Sequence, residues 1–114
     1  MIAKNTTSLH FAVERCNKEI AENIITNGAN VNAKDIIEWT PLHYAVQTDQ
    51  KEIIELLIAK GADVNAKNNN GRTPLDMVFI KTKISLTKRR RSEIAELLGK
   101  HGGKTKKELE AAGN

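Results

Sequence analysis

The chain has 114 residues, of which 39% are apolar and 28% charged, the size and balance of one soluble domain. No apolar run reaches the roughly eighteen residues that a membrane span needs, the opening residues lack the apolar stretch of a secretory signal, and the lone cysteine, Cys16, has no internal disulfide partner. A membrane span and a disulfide scaffold are thereby excluded, and a cytoplasmic location is expected, with the nucleus or secretion into a host cell as the other options. The net charge of +4 is uneven: residues 1–80 hold eight Lys or Arg against ten Asp or Glu, and residues 81–114 hold ten against four.

The dominant pattern is a repeat. Residues 9–34 laid over residues 42–67, an offset of 33, are identical at fifteen of twenty-six positions. Each copy reads as helix, turn, helix and loop. In the first copy Leu9, Ala12 and Val13 make one apolar face, a polar turn around Cys16 follows, and a second helix runs on to a stop at Gly28. The loop that follows carries Asp35, Ile36, Ile37, Glu38 and Trp39. Ile36, Ile37 and Trp39 read as an exposed apolar patch of the kind that marks contact surfaces; the competing reading stacks Trp39 on the neighbouring loop with both isoleucines folded under it.

The second copy opens at Thr40, an N-cap, with Pro41 at the first helical position. Leu42, Ala45 and Val46 share a face. The second helix is expected over residues 51–60, with Ile53, Ile54, Leu56, Leu57 and Ile58 forming a stripe wide enough for burial on two sides. Gly61 ends it, and Asn68, Asn69, Asn70 and Gly71 turn the loop back. Asn32 and Asn65 occupy one repeat position and are expected to bond loop backbone. His10 and His43 likewise match, which makes them structural, each ring bonding backbone near the loop; His101 lies at a helix end.

The third copy restarts in phase at Thr73 and Pro74, with Asp76 at the histidine position, then shifts by eight residues. Ile80 and Ile84 have helical spacing, so the first helix is expected to run long or bend into a loop near residues 85–88. Lys88, Arg89, Arg90 and Arg91 then precede the second helix. This run reads as a solvated charge run, as a nuclear-localisation-like or acidic-partner patch, or as a nucleic-acid contact; no aromatic interleaves it, and the first 80 residues are net acidic. Thr105 to Glu108 has the spacing of a capping box, so a short helix from Lys106 to about Ala112 is expected to fold over the end of the stack with Leu109 as its anchor.

The 33-residue period, the T-P-L-H tetrapeptide at residues 40–43 and the G-A-D-V-N-A segment at residues 61–66 resemble ankyrin repeats. The resemblance implies an all-α solenoid of helix-turn-helix units, with short β-hairpin-like fingers between copies and a concave face. The expected units are one domain over 1–114, with copies at 2–34, 35–67 and 68–104 and a C-terminal cap at 105–114. Ser8 in place of proline and Asp76 in place of histidine fit atypical terminal copies and hence an expected complete array. The resemblance further implies that partners are gripped by finger tips and by the inner faces of first helices. On this sequence those positions are Ile36, Ile37 and Trp39; Glu14, Arg15, Gln47 and Thr48; Asn69, Asn70 and Arg72; and Ile80 and Lys81. It also makes Asn65 a candidate for hydroxylation, and it puts glycine at the finger-tip position that Glu38 holds, where a left-handed backbone would strain a glutamate. The expected function is a protein-binding module, monomeric and without cofactor or metal, with an adaptor, inhibitor or effector role. The rival is a binder of nucleic acid or a phosphorylated ligand through residues 88–91. An enzyme ranks last, since no motif supplies a nucleophile and its base.

Overall fold

The structure is a computed structural model that describes residues 7–79 and 88–113. Among these residues seven helices follow in order: α1 (Ser8–Glu14), α2 (Lys18–Thr26), α3 (Pro41–Gln47), α4 (Lys51–Ala59), α5 (Pro74–Val78), α6 (Lys88–Lys100) and α7 (Lys106–Gly113). Among the described residues there is no strand. The first helix of each copy packs on the second helix of that copy and on the first helix of the next, which makes a linear stack with an all-α solenoid's local contacts.

Local chemistry sets each helix. Thr7, Thr40 and Thr73 sit in extended backbone, and their hydroxyls accept the N–H three residues on. The residue at that third position reaches back to the threonine N–H, a reciprocal cap that satisfies two otherwise unpaired donors. The second helices stop in a common way. Gly61, at φ +96°, lets its own N–H reach Ile58 O at 3.0 Å and the Ala62 N–H reach Leu57 O at 2.9 Å, the left-handed helix stop that favours glycine. The first helices of copies one and two end with the same pair of bonds around Cys16 (φ +61°) and Asp49 (φ +57°). A side chain in that conformation costs on the order of 1 kcal/mol.

The core is one continuous cluster. Leu9, Leu42, Ile54, Leu57, Ile94 and Leu98 are fully buried, and Ala12, Ala21 and Ala45 let the helices approach closely. Burial of such side chains, at roughly 1.5–3 kcal/mol each, holds copies together that are too small to bury their own faces. Ile20 marks the edge of the stack. It is 48% exposed, whereas Ile53 and Ile94 at the same helical position are buried, because among the described residues α2 has a second helix on one side only.

Two expectations change here. Residues 88–91 do not precede the last second helix; they form its opening turns. Arginine and lysine are good helix formers, and Glu93 supports them by pairing with Arg89 at 3.4 Å and with Arg90 at 3.7 Å. The first helix of copy three ends early, at Val78, where Phe79 caps it; Ile80, Lys81 and Ile84 lie outside the described residues.

The C-terminal cap forms as a helix with the expected capping box: the Glu108 N–H donates to Thr105 Oγ1 at 3.1 Å, and the Thr105 N–H donates to Glu108 Oε1 at 3.0 Å. Its anchor is polar, not Leu109, which is half-buried and lies outside the side chains packed on the core. Asp76 Oδ2 accepts the Lys106 N–H at 2.8 Å, and the Thr73 hydroxyl donates to Lys104 O at 2.6 Å. This explains the change at the histidine position. His10 and His43 donate from Nε2 to the carbonyls of Trp39 and Arg72, at 2.8 and 2.9 Å. After copy three the chain presents the N–H groups of a helix start, so the acceptor Asp76 stands where the donor stood.

Candidate functional site

Two fingers, residues 35–39 and 68–72, project at the N-terminal ends of α3 and α5. They share a skeleton. Asp35 Oδ1 accepts the N–H groups of Ile37 and Trp39 at 3.1 and 2.9 Å, and Asn68 Oδ1 accepts those of Asn70 and Arg72 at 2.9 and 3.0 Å. Across each base, backbone bonds run from Asp35 N–H to Trp39 O (3.1 Å) and from Asn68 N–H to Arg72 O (3.0 Å). Glu38 and Gly71 take the left-handed corner at φ +60° and +75°. The glutamate therefore adopts the strained conformation its position requires.

The bases differ in one partner. Tyr44 donates its hydroxyl to Asp35 Oδ2, and its pKa is pushed well above the usual phenol value by burial first and by the Asp35 carboxylate second. At the matching position copy three has Met77, which offers no such bond, and the buried Asn68 Nδ2 has no partner among the described residues. The fingers also join to each other: the Asn69 N–H donates to Ile37 O at 3.1 Å, and Lys34 Nζ to Lys67 O at 3.0 Å.

The tip side chains separate into two groups. Ile36 and Ile37 are 56% and 40% exposed. Trp39 is not part of that patch. It is half-buried against the core, with its ring 4.9 Å from Tyr44 and 5.9 Å from His43. Neither sequence reading was right throughout: the isoleucines do not fold under the tryptophan, and the tryptophan does not join them at the surface. On finger two, Asn69, Asn70 and Arg72 are exposed.

Of the inner-face positions, Glu14 and Arg15 are exposed and Gln47 and Thr48 half-buried. Thr48 is turned to its own helix end, where its hydroxyl donates to Tyr44 O at 2.7 Å. Ile80 and Lys81 lie outside the described residues. Asn65 is engaged at both ends, Nδ2 donating to Gly102 O at 3.1 Å and Oδ1 accepting the Lys104 N–H at 2.7 Å. Asn32 does the same with Gly61 O and the Asp63 N–H. These asparagines tie one copy to the helix stop of the next and leave the finger to Asp35 and Asn68.

The basic run belongs to another part of the surface. Arg90 Nε donates to Asp49 Oδ1 at 2.9 Å, in the turn between α3 and α4. Fingers stand at the start of a first helix and this turn at its end, about 10 Å away for seven residues. Arg89 is exposed, and Arg91 too makes contacts within the fold; the Lys88 side chain lies outside the described residues.

The histidines are held as structural groups. His43 accepts the Thr40 N–H at Nδ1 (3.1 Å) and donates from Nε2 to Arg72 O (2.9 Å), which fixes the neutral tautomer. Its pKa is lowered, chiefly by burial and also by the nearby Lys34 charge. Among the described residues no three His, Cys, Asp or Glu side chains are grouped to hold a metal ion, and no helix is long and apolar enough to cross a membrane. Sequence reasoning missed Phe79, an exposed ring at the end of α5; the signal was its place in register with the buried Val13 and Val46.

A family model described as ankyrin repeats, in three copies, matches residues 9–108. No curated protein matches the chain.

Proposed function

The chain belongs to the ankyrin-repeat family, whose members are generally protein–protein interaction modules, and we propose that this one binds its partner through finger one, with Ile36 and Ile37 as apolar contacts. The observation that carries this reading is the exposure of two large aliphatic side chains on a finger whose backbone is fixed without them. Finger two, with Asn69, Asn70 and Arg72, supplies a polar rim beside that patch, as contact surfaces commonly have. The role is that of an adaptor, inhibitor or effector acting as a single chain. The rival reading, a phosphate-binding run at residues 88–91, is disfavoured by the carboxylates of Asp49 and Glu93 beside Arg90.

Affinity capture from a cell extract tests the proposal. The wild type is expected to retain a partner that the Ile36→Asn/Ile37→Asn variant does not, and the capture is expected to persist at moderate salt. Capture that survives the double substitution, or that collapses with salt in the manner of phosphate contacts, would count against it.

A further inference from the structure

Copies one and two bury a valine near the end of the first helix: Val13 and Val46 are 0% and 1% exposed. The residue in that register of copy three is Phe79, and its ring is 62% exposed. The cause is local. Helix α5 has five residues where α1 and α3 have seven, so Phe79 falls beyond the helix and outside the packed face.

Phe79 lines a shallow groove of about 560 Å³ between finger two and α7, together with Arg72, Asp76, Lys106, Lys107 and Glu110. The charges there do not cancel. Asp76 Oδ2 is already taken by the Thr73 N–H (2.9 Å) and the Lys106 N–H (2.8 Å), and Glu110 stands 3.9 Å from Lys106 Nζ. Arg72 and Lys107 are left with no ion pair among the described residues. An apolar ring thus lies beside two uncommitted cations.

We infer that this groove docks an acidic segment of a partner protein that carries one large apolar side chain. The apolar side chain covers Phe79, and flanking carboxylates pair with Arg72 and Lys107. Arginine matches a carboxylate in a two-point geometry and is a frequent interface anchor. A nucleic acid fits the groove less well, since Asp76 and Glu110 would face its phosphates. The inference rests on the protein-binding reading above and places a second contact in a groove that shares only Arg72 with the rim of the first.

Fluorescence anisotropy with three synthetic peptides decides it. One is a run of glutamates with a central phenylalanine, the second has serine at the centre, and the third replaces the glutamates by lysines. The first is expected to bind about 10-fold or more tighter than the second, the factor that burying a phenylalanine supplies, and the third is expected not to bind. Phe79→Ser and Arg72→Gln/Lys107→Gln should each weaken the first peptide about 10-fold without shifting the melting temperature, because these side chains are exposed. Binding of the first peptide that those variants leave unchanged, or that falls only in Arg89→Gln, overturns the inference. So does equal binding of the lysine peptide, or no binding by any of the three. None of these outcomes bears on finger one, which is tested at Ile36 and Ile37.

Discussion

Finger one and finger two are built on the same frame and carry different tips. In each, one side chain at the base, Asp35 or Asn68, accepts two backbone N–H groups, and one residue, Glu38 or Gly71, turns the corner at positive φ. Finger two spends its tip on two asparagines and a glycine, residues that suit the turn. Finger one puts Ile36, Ile37 and Glu38 at the same places, where the first two stay 56% and 40% exposed and the third holds a costly backbone. A segment gives up local stability here while its neighbour shows the comfortable solution, and the proposed partner contact at Ile36 and Ile37 rests on that contrast.

The frame is where substitutions should hurt most. Asp35→Ala removes two backbone bonds to a buried carboxylate and leaves Tyr44 unpaired; a loss of about 3 kcal/mol is expected in chemical denaturation, with Asn68→Ala costing less because its base is neutral and already one bond short. Tyr44→Phe should cost about 2 kcal/mol by leaving Asp35 Oδ2 buried without its donor. If both fingers tolerated these changes equally, the asymmetry of the bases would be wrong.

The corner residues sharpen the contrast in opposite directions. Gly71→Ala should destabilise by about 1 kcal/mol, and Glu38→Gly should stabilise by up to about 1 kcal/mol, since the left-handed conformation penalises any side chain. Both are read from thermal or denaturant midpoints. Acid gives the mildest test. His43 has its pKa lowered in the fold, so the unfolded chain binds its proton first as pH falls. The neutral ring's contribution is present above 6.5, the unperturbed value, and declines as pH drops below it. Thermal scans across that window should show this decline, and His43→Gln should flatten it.

Much of this frame was legible in the sequence. The 33-residue self-match placed the helices, the threonines marked their starts, and the paired histidines predicted ring-to-backbone bonds, because these depend on neighbours in the chain or on the same position one copy away. The strained corner at Glu38 followed from the resemblance, which puts glycine at that place in the finger. What could not be read were side chains whose fate depends on where a helix happens to end. Trp39 turned inward onto Tyr44 and His43, a packing choice among rings from two elements. Phe79 turned outward because α5 is short. The basic residues 88–91 joined a helix because Glu93 and Asp49 supply partners that composition alone does not locate.

Making the two tips alike tests the central claim most directly. The triple variant Ile36→Asn/Ile37→Asn/Glu38→Gly gives finger one the tip of finger two while leaving Asp35, Trp39 and Tyr44 in place. Its melting temperature and its capture of the partner, measured side by side, are expected to diverge: stability unchanged or slightly raised, and capture lost. A fall in stability of more than about 2 kcal/mol, the range of a core defect, or capture at the wild-type level would contradict the account.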